Sequence, residues 1–296
     1  MEKISVIIVT YNNQNHIQQC LSSLPWDQFE LETVIVDNHS RDHTRNAILA
    51  FENPFLQSRI LPIWNDTNVG YARAVNQALA LCHTPWILLL GPDTVLLPNT
   101  ISILLAILKK NPNVGMVAPQ LLTQEGKIHP SCRRFPNVSD LLLELIGLPR
   151  LFPKKWKPRW KFPEFDHQTQ QEVEQPEATC LLIRKEAIDS IGNMDEQFFL
   201  FFNDVDWCRR FWQKGWKILF IPEAKVYHIR GASVNQNQYV KIWKSHQGFY
   251  RYFQKYRKNR WEWYRNQLLG VLLIITAVLR ILFSDILERG REKGKA

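Results

Sequence analysis

The side chains able to do chemistry fall in a few short clusters. The densest is Phe198-Phe199-Leu200-Phe201-Phe202 followed by Asn203-Asp204-Val205-Asp206-Trp207-Cys208-Arg209-Arg210. Two carboxylates two residues apart thus open a helix, where anionic side chains are favoured. Capping accounts for one of them. The other, shielded by aromatic rings, has surroundings that raise a carboxyl pKa and let it take a proton from an alcohol. Asp93 follows Pro92 at the end of an apolar run, as a metal ligand or as a turn residue capping the next helix. Polar clusters also stand at Thr10–Asn13 and Asp37–Asp42. No Gly-x-x-x-x-Gly-Lys-Ser/Thr loop is present, and no Gly-x-Gly-x-x-Gly follows the first strand-like run, which argues against P-loop and dinucleotide-binding folds. A phosphate-bearing ligand would then need a carboxylate-held divalent cation, Mg²⁺ or Mn²⁺, since both prefer oxygen and bridge diphosphates. His228 follows a β-like run and precedes Arg230, as a further ligand or a satisfied core histidine. His16, His39, His43, His83, His129, His167 and His246 read as surface residues.

These clusters need a scaffold, and the hydrophobic pattern supplies one. Ile4–Thr10, Thr33–Val36 and Trp86–Leu90 are continuous apolar runs typical of strands buried on both faces. Helical spacing marks His16–Leu24, Tyr71–Leu81 and Asp204–Lys214, and further strands are expected at Thr179–Ile183, Lys217–Ile221 and Val226–His228. Alternating strands and helices imply an α/β fold with a mostly parallel sheet and right-handed crossovers. Ligands in such sheets sit beyond the carboxyl ends of the strands, where the polar clusters fall. Leu141–Leu148 is apolar, and Arg150–Lys161 is basic and aromatic, as a lid or a membrane contact. Gln168–Gln175 reads as a mobile polar loop.

The chain has 296 residues, 45% hydrophobic and 22% charged, which excludes collagen, coiled coil and disordered tail. Its excess charge of +9 lies entirely in residues 241–296, with 13 basic and 4 acidic side chains, against 24 of each in residues 1–240. Five scattered cysteines with no Cys-x-x-Cys pair argue against a disulfide framework or zinc site. Ile4–Val9 is too short for a signal peptide, so the body is expected in the cytoplasm. Leu268–Phe283 carries one charge over sixteen residues, about 24 Å as a helix and short of the ~20 residues of a clean membrane span. Upstream, Trp261, Trp263 and Tyr264 stand among Arg and Lys, as at membrane interfaces. Partial insertion into a membrane surface is favoured over a full crossing; a buried C-terminal helix is the alternative. A nucleic-acid role is disfavoured, because the basic residues flank an apolar helix rather than line a groove.

Together, Ser5–Asn12, Asp37–Asp42, Asn68–Asn76, Pro92-Asp93-Thr94, Asp195–Arg210, Gly215–Pro222 and Val226–Ser233 resemble, in order, the inverting family-2 glycosyltransferases with a GT-A fold, specifically the rhamnosyltransferase-like branch. The resemblance implies a GT-A domain over residues 1–240, with a nucleotide-sugar half (1–125) and an acceptor half (126–240), and a membrane-associating segment over 241–296. It implies that Thr10, Tyr11, Asn12, Asp37 and Asn38 line the nucleotide pocket, with Asn68, Gly70 and Arg73 near ribose and diphosphate. Asp93 and His228 would hold the cation, and Asp204 would be the base. Asp206 and Trp207 would shape the acceptor side, with Arg133 and Arg230 toward phosphates. The implied reaction moves a sugar from a nucleotide diphosphate, with dTDP-rhamnose the donor that the resemblance suggests and UDP- or GDP-sugars left open, to a lipid-linked or envelope-glycan hydroxyl at the cytoplasmic face of the membrane. A polyprenyl-phosphate acceptor and an inactive scaffold of the same fold are the alternatives. Two departures stand out. Gly91 stands where the family usually has Asp or Asn, and Asn203 stands where Glu usually precedes the base, which is expected to lower the Asp204 pKa by removing a like charge.

Overall fold

The computed structural model describes residues 1–52, 59–145, 152, 157–229 and 238–293, with side chains omitted at 238 and 283–293. Arg230, Lys154, Lys155 and Trp156 lie outside the described residues. The chain forms two compact units. One comprises Met1–Phe135, Arg159–Phe199 and Asn203–Ser233; the other comprises Pro136–Pro158, Leu200–Phe202 and Val234–Ala296.

The first unit is built on one mixed sheet. In chain order its strands include β1 (Lys3–Thr10), β2 (Glu30–Asp37), β3 (Arg59–Trp64), β4 (Trp86–Leu90), β5 (Thr94–Leu96), β6 (Val114–Leu122) and β7 (Ile128–His129). Next come β8 (Cys132–Arg133), β9 (Gln171–Glu172), β10 (Gln175–Pro176), β11 (Cys180–Arg184) and β12 (Lys217–His228). The main path runs β3-β2-β1-β4-β11-β6-β12-β5, with β7 on β6 and β9 on β12, while β8 and β10 form a separate two-stranded ladder. β1, β2, β3 and β4 pair in parallel, and β11 lies antiparallel between β4 and β6. Strand direction explains the apolar runs. Ile4, Val6 and Ile8 pack on one face with the helices Ile17–Ser22 and Thr100–Lys110, while Ile7, Val34 and Leu89 face the helices Tyr71–Leu79 and Asn203–Gln213. Five cysteines are free and buried within these layers.

The path reverses at β1, whose partners β2 and β4 carry the chain to opposite sides, and a crevice opens at such a switch point. Thr10 pairs with Asp37, and Asp37 with Trp64, so the expected nucleotide cluster forms one rim at the carboxyl ends. The second rim depends on β12. Ile221 pairs with Pro119, and the next pair is Lys225 with Gln120, so three residues bulge out where proline offers no N–H. Beyond the bulge, Val226–His228 pairs with β5 on its other edge, setting His228 opposite Thr94. The two strands expected at Lys217–Ile221 and Val226–His228 are thus one strand with a bulge. Gln168–Gln175, expected as a mobile loop, instead contributes β9 and the start of β10.

The second unit contains the helices Val138–Leu145, Gln238–Lys255 and Arg260–Lys293. Gly248 lies so close to the Phe202 ring that a Cβ would sit 2.6 Å from it, and Gly270 is packed equally tightly against Tyr250. Phe202 also contacts Phe249 at 4.5 Å between centroids, and the Asn266 amide donates to the Phe253 carbonyl at 2.7 Å. Leu269, Leu273 and Ala277 are buried, whereas Leu268, Val271, Ile274, Ile275, Val278, Leu279 and Leu282 are exposed. The stretch Arg260–Leu282 is long and apolar enough, by length and composition, to cross a membrane.

Candidate active site

The nucleotide-side residues are held by hydrogen bonds between the β1 and β2 ends. Thr10 Oγ1 donates to Asp37 Oδ1 at 3.1 Å, and the Ser40 N–H and the Arg45 Nε donate to Asp37 Oδ2 at 3.1 and 2.7 Å. Asn12 adopts φ +55°, and its N–H donates to Ser40 Oγ while its Oδ1 accepts from the Arg41 N–H. The Tyr11 N–H donates to Asn13 Oδ1. Asn38 Oδ1 accepts from the Val69 N–H, and its amide donates to the Gly70 carbonyl at 3.2 Å. Asn68 Oδ1 in turn accepts from the Gly70 N–H. Gly70 has φ +87°, and a Cβ there would come within 2.6 Å of the Phe199 ring. Glycine is therefore required where this turn enters the helix that follows. Arg73 is largely exposed, with Glu196 3.9 Å away.

Tyr71 is the next residue. Its hydroxyl donates to the Ala178 carbonyl at 3.3 Å, and its pKa is driven up by burial and then by the negative charges of Asp204 and Asp93. A single phenol therefore lies within electrostatic reach of both. Asp204 opens its helix, accepts from the Val205 N–H at 2.8 Å, and takes its own N–H bond to Asn203 Oδ1. Its pKa is raised, first by removal from water and then by the charge of Glu177, against the opposing pull of the Val205 N–H and Arg133. The net shift is upward from the ordinary carboxylate value although position 203 adds no like charge. Asn203 removes one like charge, but Glu177 supplies another from a distant segment.

The cation question turns on four residues. The backbone of Asp93 is tied by its carbonyl to the Ile229 N–H at 2.9 Å, and its Oδ2 lies 3.7 Å from His228 Nε2. His129 Nε2 lies 3.3 Å from Glu177 Oε2 and the two histidine rings are 5.6 Å apart. His129 Nε2 and His228 Nδ1 are buried without a hydrogen-bond partner. Buried polar atoms are nearly always satisfied, so this nitrogen and oxygen set fits a divalent cation by its chemistry. Burial corrects the surface reading of three histidines. His167 is satisfied by the protein through the Cys132 N–H at 3.0 Å, whereas His246 meets the Ile242 carbonyl at 2.7 Å through Nδ1 and leaves its Nε2 without a partner. His129 is not satisfied at Nε2.

Comparison with known proteins decides the family. The model of Glycosyl transferase family 2 matches residues 5–192. The chain belongs to this family. The glycosyltransferase is 24% identical over 271 residues to the N-acetylglucosaminyl-diphospho-decaprenol L-rhamnosyltransferase of Mycobacterium tuberculosis, covering 88% of this chain and 86% of that one. Its fold resembles that of the mannosyltransferase PcManGT from Pyrobaculum calidifontis, solved with GDP-Man and Mn²⁺, with a TM-score of 0.56 at 16% identity over 99% of this chain and 80% of that chain. A Staphylococcus aureus TarS structure with UDP matches at TM-score 0.51 and 17% identity, over 84% of this chain and 65% of that chain. The fold is accordingly GT-A-like.

Two residues expected on the acceptor side of the glycosyltransferase lie in its interior instead. The Asp206 carboxylate is fully buried and accepts from Arg210 Nε at 3.0 Å, while that guanidinium also donates to the Ile191 and Asn193 carbonyls. Trp207 is buried beside Phe211, its Nε1 donating to the Gly192 carbonyl at 3.0 Å. Helical period explains Asp206, which points about 200° away from Asp204. Arg133 remains part-exposed, 3.3 Å from Glu177 Oε1 and over the Trp160 ring at 5.3 Å. Tyr71, His129 and Glu177 were absent from the sequence-derived site. Tyr71 adjoins the Asn68–Gly70 cluster and carried a usable signal, whereas Glu177 lies in an irregular stretch with none.

Proposed function

The chain is a glycosyltransferase that uses a nucleotide-sugar donor, and we propose that it transfers the sugar with inversion to a hydroxyl of a lipid-linked or cell-envelope glycan. The observation that carries this reading is the 3.7 Å approach of Asp93 Oδ2 to His228 Nε2 beyond the strand ends, and the upward push that both Asp93 and Asp204 give the Tyr71 phenol supports placing the two acids near each other. An acid that anchors the leaving group and an acid that activates the acceptor must share one cleft. Asp93 and His228 would hold a divalent cation, which supplies charge neutralisation for the departing diphosphate. Asp204 takes the proton from the acceptor hydroxyl, whose oxygen bonds to the anomeric carbon as the bond to the diphosphate oxygen breaks. Its raised pKa makes it a stronger base than an ordinary carboxylate. Arg133 offers a cation for phosphate on the acceptor or donor, and the Asn12–Asn38 rim would hold the nucleotide. dTDP-rhamnose is the proposed donor sugar nucleotide, supported by the Mycobacterium tuberculosis relative.

The exposed apolar face of Arg260–Leu282, beside Trp261, Trp263 and Tyr264, supports work at a membrane surface, where a lipid-linked acceptor would reside. The decisive experiment is Asp204→Asn. General-base catalysis is worth about 10²–10⁴-fold, so turnover is expected to fall by that factor while donor affinity, measured by calorimetry, holds. Full turnover in this variant would overturn the assignment.

A further inference from the structure

Gly91 offers no side chain to a cation where the resemblance implies Asp or Asn, and the structure offers further donors from elsewhere in the chain. We propose that His129 and Glu177 join His228 in a two-imidazole, one-carboxylate cation set beside Asp93 that takes Mn²⁺ and other transition-metal ions in preference to Mg²⁺. This inference rests on the reading above only for Asp93 and His228; the two added ligands come from the geometry.

One ligand atom from each of His129, Glu177 and His228 lies within 4.8 Å of the others. Three different segments converge to make this set, with Asp93 beside them. His129 ends β7, which pairs with β6, and the turn after it leads into β8. Glu177 follows β10, whose pairing with β8 and the Glu177 N–H bond to the Ser131 carbonyl at 2.9 Å lock it beside His129. His228 arrives across β5, one position from Asp93. The two oxygens of Glu177 face different partners: Oε1 is 3.3 Å from Arg133 and Oε2 is 3.3 Å from His129. Arg133 thus orients the carboxylate, with Oε2 turned toward His129.

A plain His–Glu ion pair would align the imidazole N–H on the carboxylate. Here the approach is close enough, yet His129 Nε2 makes no hydrogen bond, and neither does His228 Nδ1. Neighbouring donor atoms poised around a common point and unbonded to one another are the arrangement of a ligand shell. Gly91 is consistent with this change. A Cβ there would stand 3.1 Å from Asp93 Oδ1, so an acidic side chain at 91 would crowd the carboxylate that remains. Imidazole ligands discriminate against Mg²⁺, which demands oxygen and gives up water reluctantly, and favour the later transition metals.

Pulsed electron paramagnetic resonance of the full chain loaded with Mn²⁺, without donor, counts the coupled imidazole nitrogens directly. Two are expected in the wild type and one in His129→Gln. Calorimetric Mn²⁺ affinity is expected to fall at least about tenfold in both His129→Gln and Glu177→Gln, the lower end of what even outer-shell changes cost. Tenfold excess Mg²⁺ is expected to leave Mn²⁺ bound. A single nitrogen in the wild type, or unchanged affinity in both variants, overturns the inference. Asp204→Asn separates this from the functional reading, because it keeps Mn²⁺ affinity and loses transfer. Unchanged affinity in the His129 and Glu177 variants, together with that loss of transfer, would refute the added ligands and leave the transferase mechanism standing.

Discussion

Asp204 ionises where its surroundings oppose the charge, with removal from water and Glu177 both pushing its pKa up. As the proposed base, Asp204 acts in its deprotonated form, so kcat/KM should fall as pH drops through that raised pKa. Arg133 pulls the value back down, so Arg133→Gln is expected to move the acid limb of the pH–rate profile to higher pH. The same shift has a cost in stability. A native carboxyl with a raised pKa binds its proton more tightly than the unfolded chain does, so the stability it confers is complete below the unfolded pKa and lost as pH rises through the native one. At neutral pH Asp204→Asn should therefore raise Tm, by about 2–4 °C per kcal/mol relieved for a domain of this size. That gain should shrink as the pH is lowered, which thermal melts across pH would check. Asp204 and Asp93 were legible from sequence because each abuts a distinctive run, aromatic or prolyl. His129 was not, because its local context, Lys127-Ile128-His129-Pro130, carries no hint of partners that arrive from residues 177 and 228.

Elements with uniform side-chain chemistry declared themselves; those with breakers did not. β1 and β4 are unbroken apolar runs and match the expected strands closely. β6 is buried at every position yet contains Gly115 and Pro119, which interrupt the β-branched pattern that marks a strand. Pro119 is also the residue opposite the β12 bulge, so the feature that hid one strand made the other look like two. Short ladders such as β8 with β10 lie below the length at which periodicity can be read. At the same scale Gly70 is exposed to a direct test. Gly70→Ala forces alanine into a positive φ and against the Phe199 ring, and is expected to destabilise the protein by more than ~1 kcal/mol in denaturant titrations. Donor affinity should fall with it, because the Asn38 and Asn68 bonds converge on the same turn.

For the molecule as a whole, the charge asymmetry and the exposed strip Leu268, Val271, Ile275, Val278 and Leu282 lie in the same C-terminal stretch. Burying each such side chain in lipid is worth about 1.5–3 kcal/mol, and basic residues beside an anionic surface add about 1 kcal/mol each. The double variant Val271→Glu/Ile275→Glu is expected to lower binding to phosphatidylglycerol vesicles at least about tenfold in flotation assays, without altering hydrolysis or transfer with soluble acceptors. The division of the chain also has a temporal consequence. Phe202 belongs to the unit completed by residues 234–296, and its ring packs on Phe249. During synthesis that phenyl group leaves the ribosome some 47 positions before its partner, a delay of roughly 2–9 s at 5–20 residues per second. For that interval the nascent polypeptide carries a bare aromatic patch just ahead of its intended base, a natural landing place for a chaperone such as a holdase.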